Sequence, residues 1–255
     1  MGRGVAPAWL LVGLGALAGP GCSAGQRLLE LPYWEPAGEA AVRLAEQDAD
    51  LGLTDDFGRT ALHLASAWGD FEAAHAFVEH GARLEARDRS GRTPLFAAVD
   101  ETARRPRGWL APDYSPDREG QLRIIRLLVE HGADLEAVDS NGYTPLRWAA
   151  GCESYHKLDL LSELGANLEA ADRDGNTALH DLAREAAPDT VRLLVERGAN
   201  VNARNAWGAT PLHVAAQRSL FAEEVYRVMC EHGADPEARD EQGRSPAELL
   251  ERNPR

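Results

Sequence analysis

Six of the eight histidines recur at two kinds of position. His63, His180 and His213 each stand three residues after a threonine, and His80, His131 and His232 each stand directly before a glycine. Such a ladder of imidazoles can in principle gather a metal, and the equally regular Asp55, Asp88, Asp139, Asp172 and Asp240 resemble the paired carboxylates of acid–base chemistry. The regularity argues against both readings. Groups one repeat apart in sequence are one repeat apart in space, and each sits where a repeated backbone feature needs it. The aspartates suit turn formation, and the second histidine set suits a helix C-terminus, where a partly positive ring favours the dipole. Cys22, Cys152 and Cys230 share no CxxC spacing, so no zinc site is expected. The chain carries no HExxH, no GxSxG and no Walker-type loop, and its sole lysine, Lys157, follows Tyr155 and His156 rather than a glycine turn. The sequence therefore predicts a protein without catalytic residues, metal or cofactor.

What must position these residues is a repeated element. Gly58, Gly91, Gly142, Gly175, Gly208 and Gly243 each follow an Asp or Asn by three residues, at spacings of 33, 51, 33, 33 and 35. A fixed period in this range signals stacked modules, none of which buries its apolar face alone. After each glycine come the strings TALHLA, TPLFAA, TPLRWA, TALHDL, TPLHVA and SPAELL. Thr or Ser is the helix N-cap, and Pro at the first helical position lacks an N–H that would be unpaired there anyway. Leu62, Leu95, Leu146, Leu179 and Leu212 point into the stack. About twenty residues further on, VEHGARLEARD, VEHGADLEAVD, SELGANLEAAD, VERGANVNARN and CEHGADPEARD each end an apolar helix at a capping glycine. The chain is then expected to run extended through the Leu or Val before turning at the next Asp/Asn-x-x-Gly.

These strings resemble the ankyrin repeat family over about residues 37–252. The resemblance implies an all-α solenoid of five full repeats, each helix–loop–helix plus hairpin finger, with N- and C-terminal caps. It also implies that the histidine of the TPLH slot braces neighbouring fingers. Phe96 and Arg147 depart from that histidine, so their two junctions are expected to be weaker or repacked. The 51-residue spacing contains an 18-residue insertion within about 101–121. Its prolines and charges read as a solvated loop. It offers Asp113, Asp117 and Glu119 but no histidine, serine–base pair or metal cluster, which leaves an enzyme reading without equipment.

Residues 1–21 form an apolar stretch behind Arg3, too short for a comfortable membrane span and read as a signal peptide. Gly-Pro-Gly-Cys at 19–22 resembles a bacterial lipoprotein box with Cys22 lipidated as the first mature residue, although Pro20 departs from the usual pattern. The rival is an ordinary A-x-A site cleaved after Ala18. The lipoprotein reading is preferred, with residues 22–36 as a tether, an envelope location on the periplasmic side of the outer membrane, and membrane contact through the lipid alone. A glycine fingerprint at 13–18 lies inside the apolar stretch, with no strand before it, and is dismissed as a dinucleotide site.

With 41 acidic and 27 basic residues the formal charge is −14, which disfavours general nucleic-acid binding. A solenoid of the kind the resemblance implies recognises partners on a concave face of fingers and first helices. Phe57, Trp68, Tyr143, Trp148 and Trp207 fall on its variable positions, as do Arg59, Arg89, Arg92 and Arg147. Trp, Tyr and Arg dominate interface energy, so these residues are the predicted protein-binding surface of a monomeric module. The competing reading is that the arginines only neutralise finger aspartates. An inhibitor or immunity-type role occluding one enzyme or toxin is the alternative function.

Overall fold

The computed structural model describes residues 50–100, 117–152, 154–185, 187–217 and 222–252. The expected signal peptide, Cys22, the tether, almost all of the N-terminal cap and most of the insertion lie outside them. The helices are α1 (Ala61–Trp68), α2 (Phe71–Glu79), α3 (Pro94–Val99), α4 (Arg118–Glu130), α5 (Pro145–Gly151), α6 (Tyr155–Glu163), α7 (Ala178–Glu185), α8 (Pro188–Glu196), α9 (Pro211–Ala216), α10 (Ala222–Glu231) and α11 (Pro246–Arg252). Among the described residues there is no strand, and the fold is the expected all-α solenoid. Each odd-numbered helix packs on the next odd-numbered one and each even-numbered helix on the next even one, with α1–α2, α3–α4, α5–α6, α7–α8 and α9–α10 as the paired layers.

The repeated leucines explain the stacking. Leu62, Leu95, Leu146, Leu179 and Leu212 are at most 1% exposed and belong to one continuous core. Burying each contributes roughly 1.5–3 kcal/mol, more than the helix propensity of a six- to nine-residue segment can supply. Short helices of this length hold only because neighbours cover them.

Between second helix and finger the backbone differs from expectation. It turns at the Leu or Val position instead of running extended, with Ala86 N–H to Arg83 O at 3.4 Å and Ala203 N–H to Asn200 O at 3.1 Å. The extra turn swings an acceptor side chain toward the following repeat. Glu85 accepts from Asp134 N–H at 2.9 Å, Glu136 from Asn167 N–H at 2.7 Å and Glu169 from Asn200 N–H at 2.7 Å.

Candidate functional site

The fingers are built from their aspartates. Asp55 Oδ1 accepts the backbone N–H of Phe57 and of Arg59, both at 2.9 Å, and Asp88, Asp139, Asp172, Asn205 and Asp240 repeat the pattern. The carboxylates are spent on turns. Among the described residues no group of three His, Cys, Asp or Glu side chains is placed to hold a metal.

The histidines are likewise consumed. His63 Nδ1 accepts the Thr60 N–H at 3.1 Å, which leaves Nε2–H to donate to Arg92 O of the next finger at 3.0 Å. His180 reaches Ala209 O and His213 reaches Arg244 O, each at 3.1 Å. Burial lowers the pKa of all three, that of His180 to about 4, so the neutral tautomer that bridges fingers is the resting form. His80, His131 and His232 donate Nδ1–H to carbonyls four residues earlier, each at 2.8 Å, closing their helix ends.

Both departures from the histidine slot are repacked. Phe96 is buried and meets Trp148 edge-on at 6.4 Å, and the buried Thr93 hydroxyl, which would otherwise face the imidazole, has no hydrogen-bond partner. Arg147 extends past the histidine's reach into the next repeat, bonding Asp181 at 2.6 Å and Asp172 at 3.1 Å. Burial pushes the Asp181 carboxyl up from its ordinary value, against the pull of Arg147 and Arg184.

The predicted recognition residues divide into three groups. Two are not surface residues at all, which corrects the sequence expectation: Trp68 is 3% exposed in a small cluster with Leu64 and Ala67, and Arg147 is 1% exposed. Neither meets a partner on this surface. Trp148 and Tyr143 are half-buried, set edge to face at 6.2 Å, with Arg92 over the Trp148 ring at 4.1 Å and Arg147 over the Tyr143 ring at 4.3 Å. Phe57 and Trp207 stand out at two finger tips, 59% and 52% exposed. Val138 and Tyr155 share this exposure, and neither stood among the predicted site residues.

The arginines are also sorted. Arg59 pairs with Asp55 at 2.7 Å and Arg92 with Asp100 at 3.0 Å, so for these two the neutralising role applies. Arg87 donates to Val138 O of the next unit at 2.6 Å, and Arg204 donates to Arg239 O. Arg89 is exposed and makes no ion pair among the described residues, which leaves its guanidinium open to a partner. Sequence reasoning missed the finger-tying role of Arg87 and Arg204. Their signal was position, since both precede the turn residue Asp88 or Asn205 directly.

Comparison with known proteins follows the same lines. A family model described as ankyrin repeats in three copies matches residues 35–105 and 158–240, and one described as ankyrin repeats in many copies matches 118–161. Over 113 residues the chain is 33% identical to neurogenic locus notch homolog protein 1 of Mus musculus and 32% identical to that of Homo sapiens. The match covers 38% of this chain and 4% of those much longer relatives. Among solved structures, the crystal structure of the ankyrin repeat domain of Bcl-3 aligns with a TM-score of 0.70 at 23% identity, covering 92% of this chain and 98% of that one.

Proposed function

Since the chain belongs to the ankyrin repeat family, we propose that it is a non-enzymatic scaffold whose protein partner docks along the finger tips, anchored by Trp207 and Phe57. One observation carries the reading. Large apolar side chains at the tip of a turn contribute nothing to the core, yet Phe57 and Trp207 keep more than half of their surface in water. Exposed aromatics of this kind are the usual anchors of an interface. Arg89, open at the second tip, adds a charge that suits a polar rim. The test is a double variant, Phe57→Ala with Trp207→Ala. Capture of the partner is expected to drop while the melting temperature stays within a few degrees; equal loss of folding would assign both residues to the core.

We propose further that the scaffold is exported and held at a bacterial envelope membrane by lipid on Cys22. The support is the apolar stretch ahead of the Gly-Pro-Gly-Cys sequence. Cys22→Ser is expected to abolish fatty-acid labelling and release the protein into the soluble envelope fraction. Persistent labelling contradicts the assignment.

A further inference from the structure

The finger row is tied together everywhere except once. Arg89 N–H donates to Phe57 O at 2.9 Å, Ser140 N–H to Ser90 O at 2.9 Å, Ala206 N–H to Asp174 O at 2.8 Å and Glu241 N–H to Trp207 O at 3.0 Å. The equivalent bond between the third and fourth fingers, from Arg173 N–H to Asn141 O, is missing among the described residues. The glycines report the same gap. A Cβ on Gly58, Gly91, Gly175 or Gly208 would lie 2.9–3.2 Å from the backbone nitrogen of the following finger, whereas one on Gly142 meets nothing within 4 Å. The other ties fail here as well. Arg147 replaces the bracing histidine, and Val138, 43% exposed, occupies the place where Arg87 and Arg204 reach to the next finger. Buried behind the gap, Arg147 leaves its Nη1 without an acceptor.

We propose that this cleft between fingers three and four receives an extended, uncharged segment of the partner's backbone, which completes the interrupted ladder. The inference deepens the protein-binding reading and rests on it. The vacancy consists of one carbonyl, Asn141 O, and one amide, Arg173 N–H, both on exposed residues. A peptide in extended conformation offers N–H and C=O on one edge and satisfies both at once, as strand addition does elsewhere. A charged ligand fits less well. The charges around the cleft already balance, with Arg147, Arg173 and Arg184 facing Asp172, Asp174 and Asp181, and the tight Arg147 pairing leaves no net field for an ion.

Hydrogen exchange on the full chain tests the gap, and peptide binding tests its occupant. In the free protein the Arg173 amide is expected to exchange roughly tenfold or more faster than those of Arg89, Ser140, Ala206 and Glu241. A phage-displayed library of random linear peptides is then selected on the wild-type chain. Arg173 is the second residue of its turn, a position where proline is favoured, so Arg173→Pro deletes the N–H and leaves the finger folded. The selected peptides are expected to protect the Arg173 amide, to bind Arg173→Pro roughly tenfold more weakly, and to bind Arg173→Ala as well as wild type. Unaltered binding to Arg173→Pro, or an Arg173 amide protected like its counterparts in the free chain, overturns the cleft. Loss of binding in Arg173→Ala to the level of the proline variant overturns it too, since the side chain would then be the contact. If the tip variants Phe57→Ala and Trp207→Ala alone weaken capture, the scaffold reading stands and the cleft falls; if the proline variant alone does, the cleft stands and the tip anchors fall.

Discussion

The guanidinium of Arg147 grips Asp181 of the neighbouring repeat through Nε at 3.0 Å and Nη2 at 2.6 Å, with 1% of the arginine and 6% of the aspartate open to solvent. Each member is costly without the other. Arg147→Ala strands a buried carboxylate and is expected to cost about 3–5 kcal/mol. Arg147→Leu combined with Asp181→Leu removes both charges and is expected to recover most of that loss. Urea denaturation of the four corners of the cycle measures the coupling. Additive single losses would mean that the two side chains do not act as a pair.

That pair also marks how far the sequence could be read. The caps, the period and the inward leucines were legible because each is decided within one repeat by local backbone chemistry. The burial of Trp68 and Arg147 was not, because exposure depends on what the adjacent elements bring. A signal for Arg147 did exist. In the position after the histidine slot the repeats carry Leu64, Ala97, Trp148, Asp181 and Val214. The one acid there lies directly after the repeat whose histidine is an arginine, and the two departures compensate each other across the junction. The open third finger was illegible, since its Asp-x-x-Gly is intact and only the relation to the next finger changes.

Acid should weaken the stack. Burial holds His63, His180 and His213 below their ordinary value of 6.5, so the unfolded chain takes up protons first as pH falls. Their contribution is complete above pH 6.5 and declines toward the folded-state value, about 4 for His180, where that residue alone accounts for roughly 3 kcal/mol. Below this, Asp55, Asp172 and Asp240, whose backbone and side-chain hydrogen bonds outweigh burial and lower their pKa, withdraw support as they protonate. Asp70 and Asp181, raised by burial, act in the opposite sense. Melting temperatures between pH 8 and pH 4 should fall, and less steeply in His180→Gln; a flat profile refutes the bracing role.

Two glycine substitutions report finger spacing. Gly142 and Gly175 have nearly the same backbone, with φ of 83° and 77°. An alanine at 142 meets open space and should cost about 1–2 kcal/mol for its left-handed conformation. An alanine at 175 must also displace Ala206 N, only 2.9 Å away, and should cost clearly more. Equal losses by denaturation would show that fingers three and four approach as closely as the others.

The two tryptophans should separate stability from recognition. Trp148 is packed among Phe96, Tyr143 and Arg92, and Trp148→Ala is expected to cost about 2 kcal/mol, less than a fully buried aromatic because part of the ring is open. Trp207→Ala should stay within about 0.5 kcal/mol. Thermal melts of the two variants, read beside partner capture, distinguish a ring that holds the stack from one that holds a partner.

The finger-tip interface is tested most directly by photo-crosslinking in the intact cell envelope. A photoreactive residue replaces Trp207 in one strain and Glu196, exposed on second helix α8, in another. The account predicts a discrete protein adduct from position 207 and none from position 196. The same adducts from both positions, or none from 207, would contradict it.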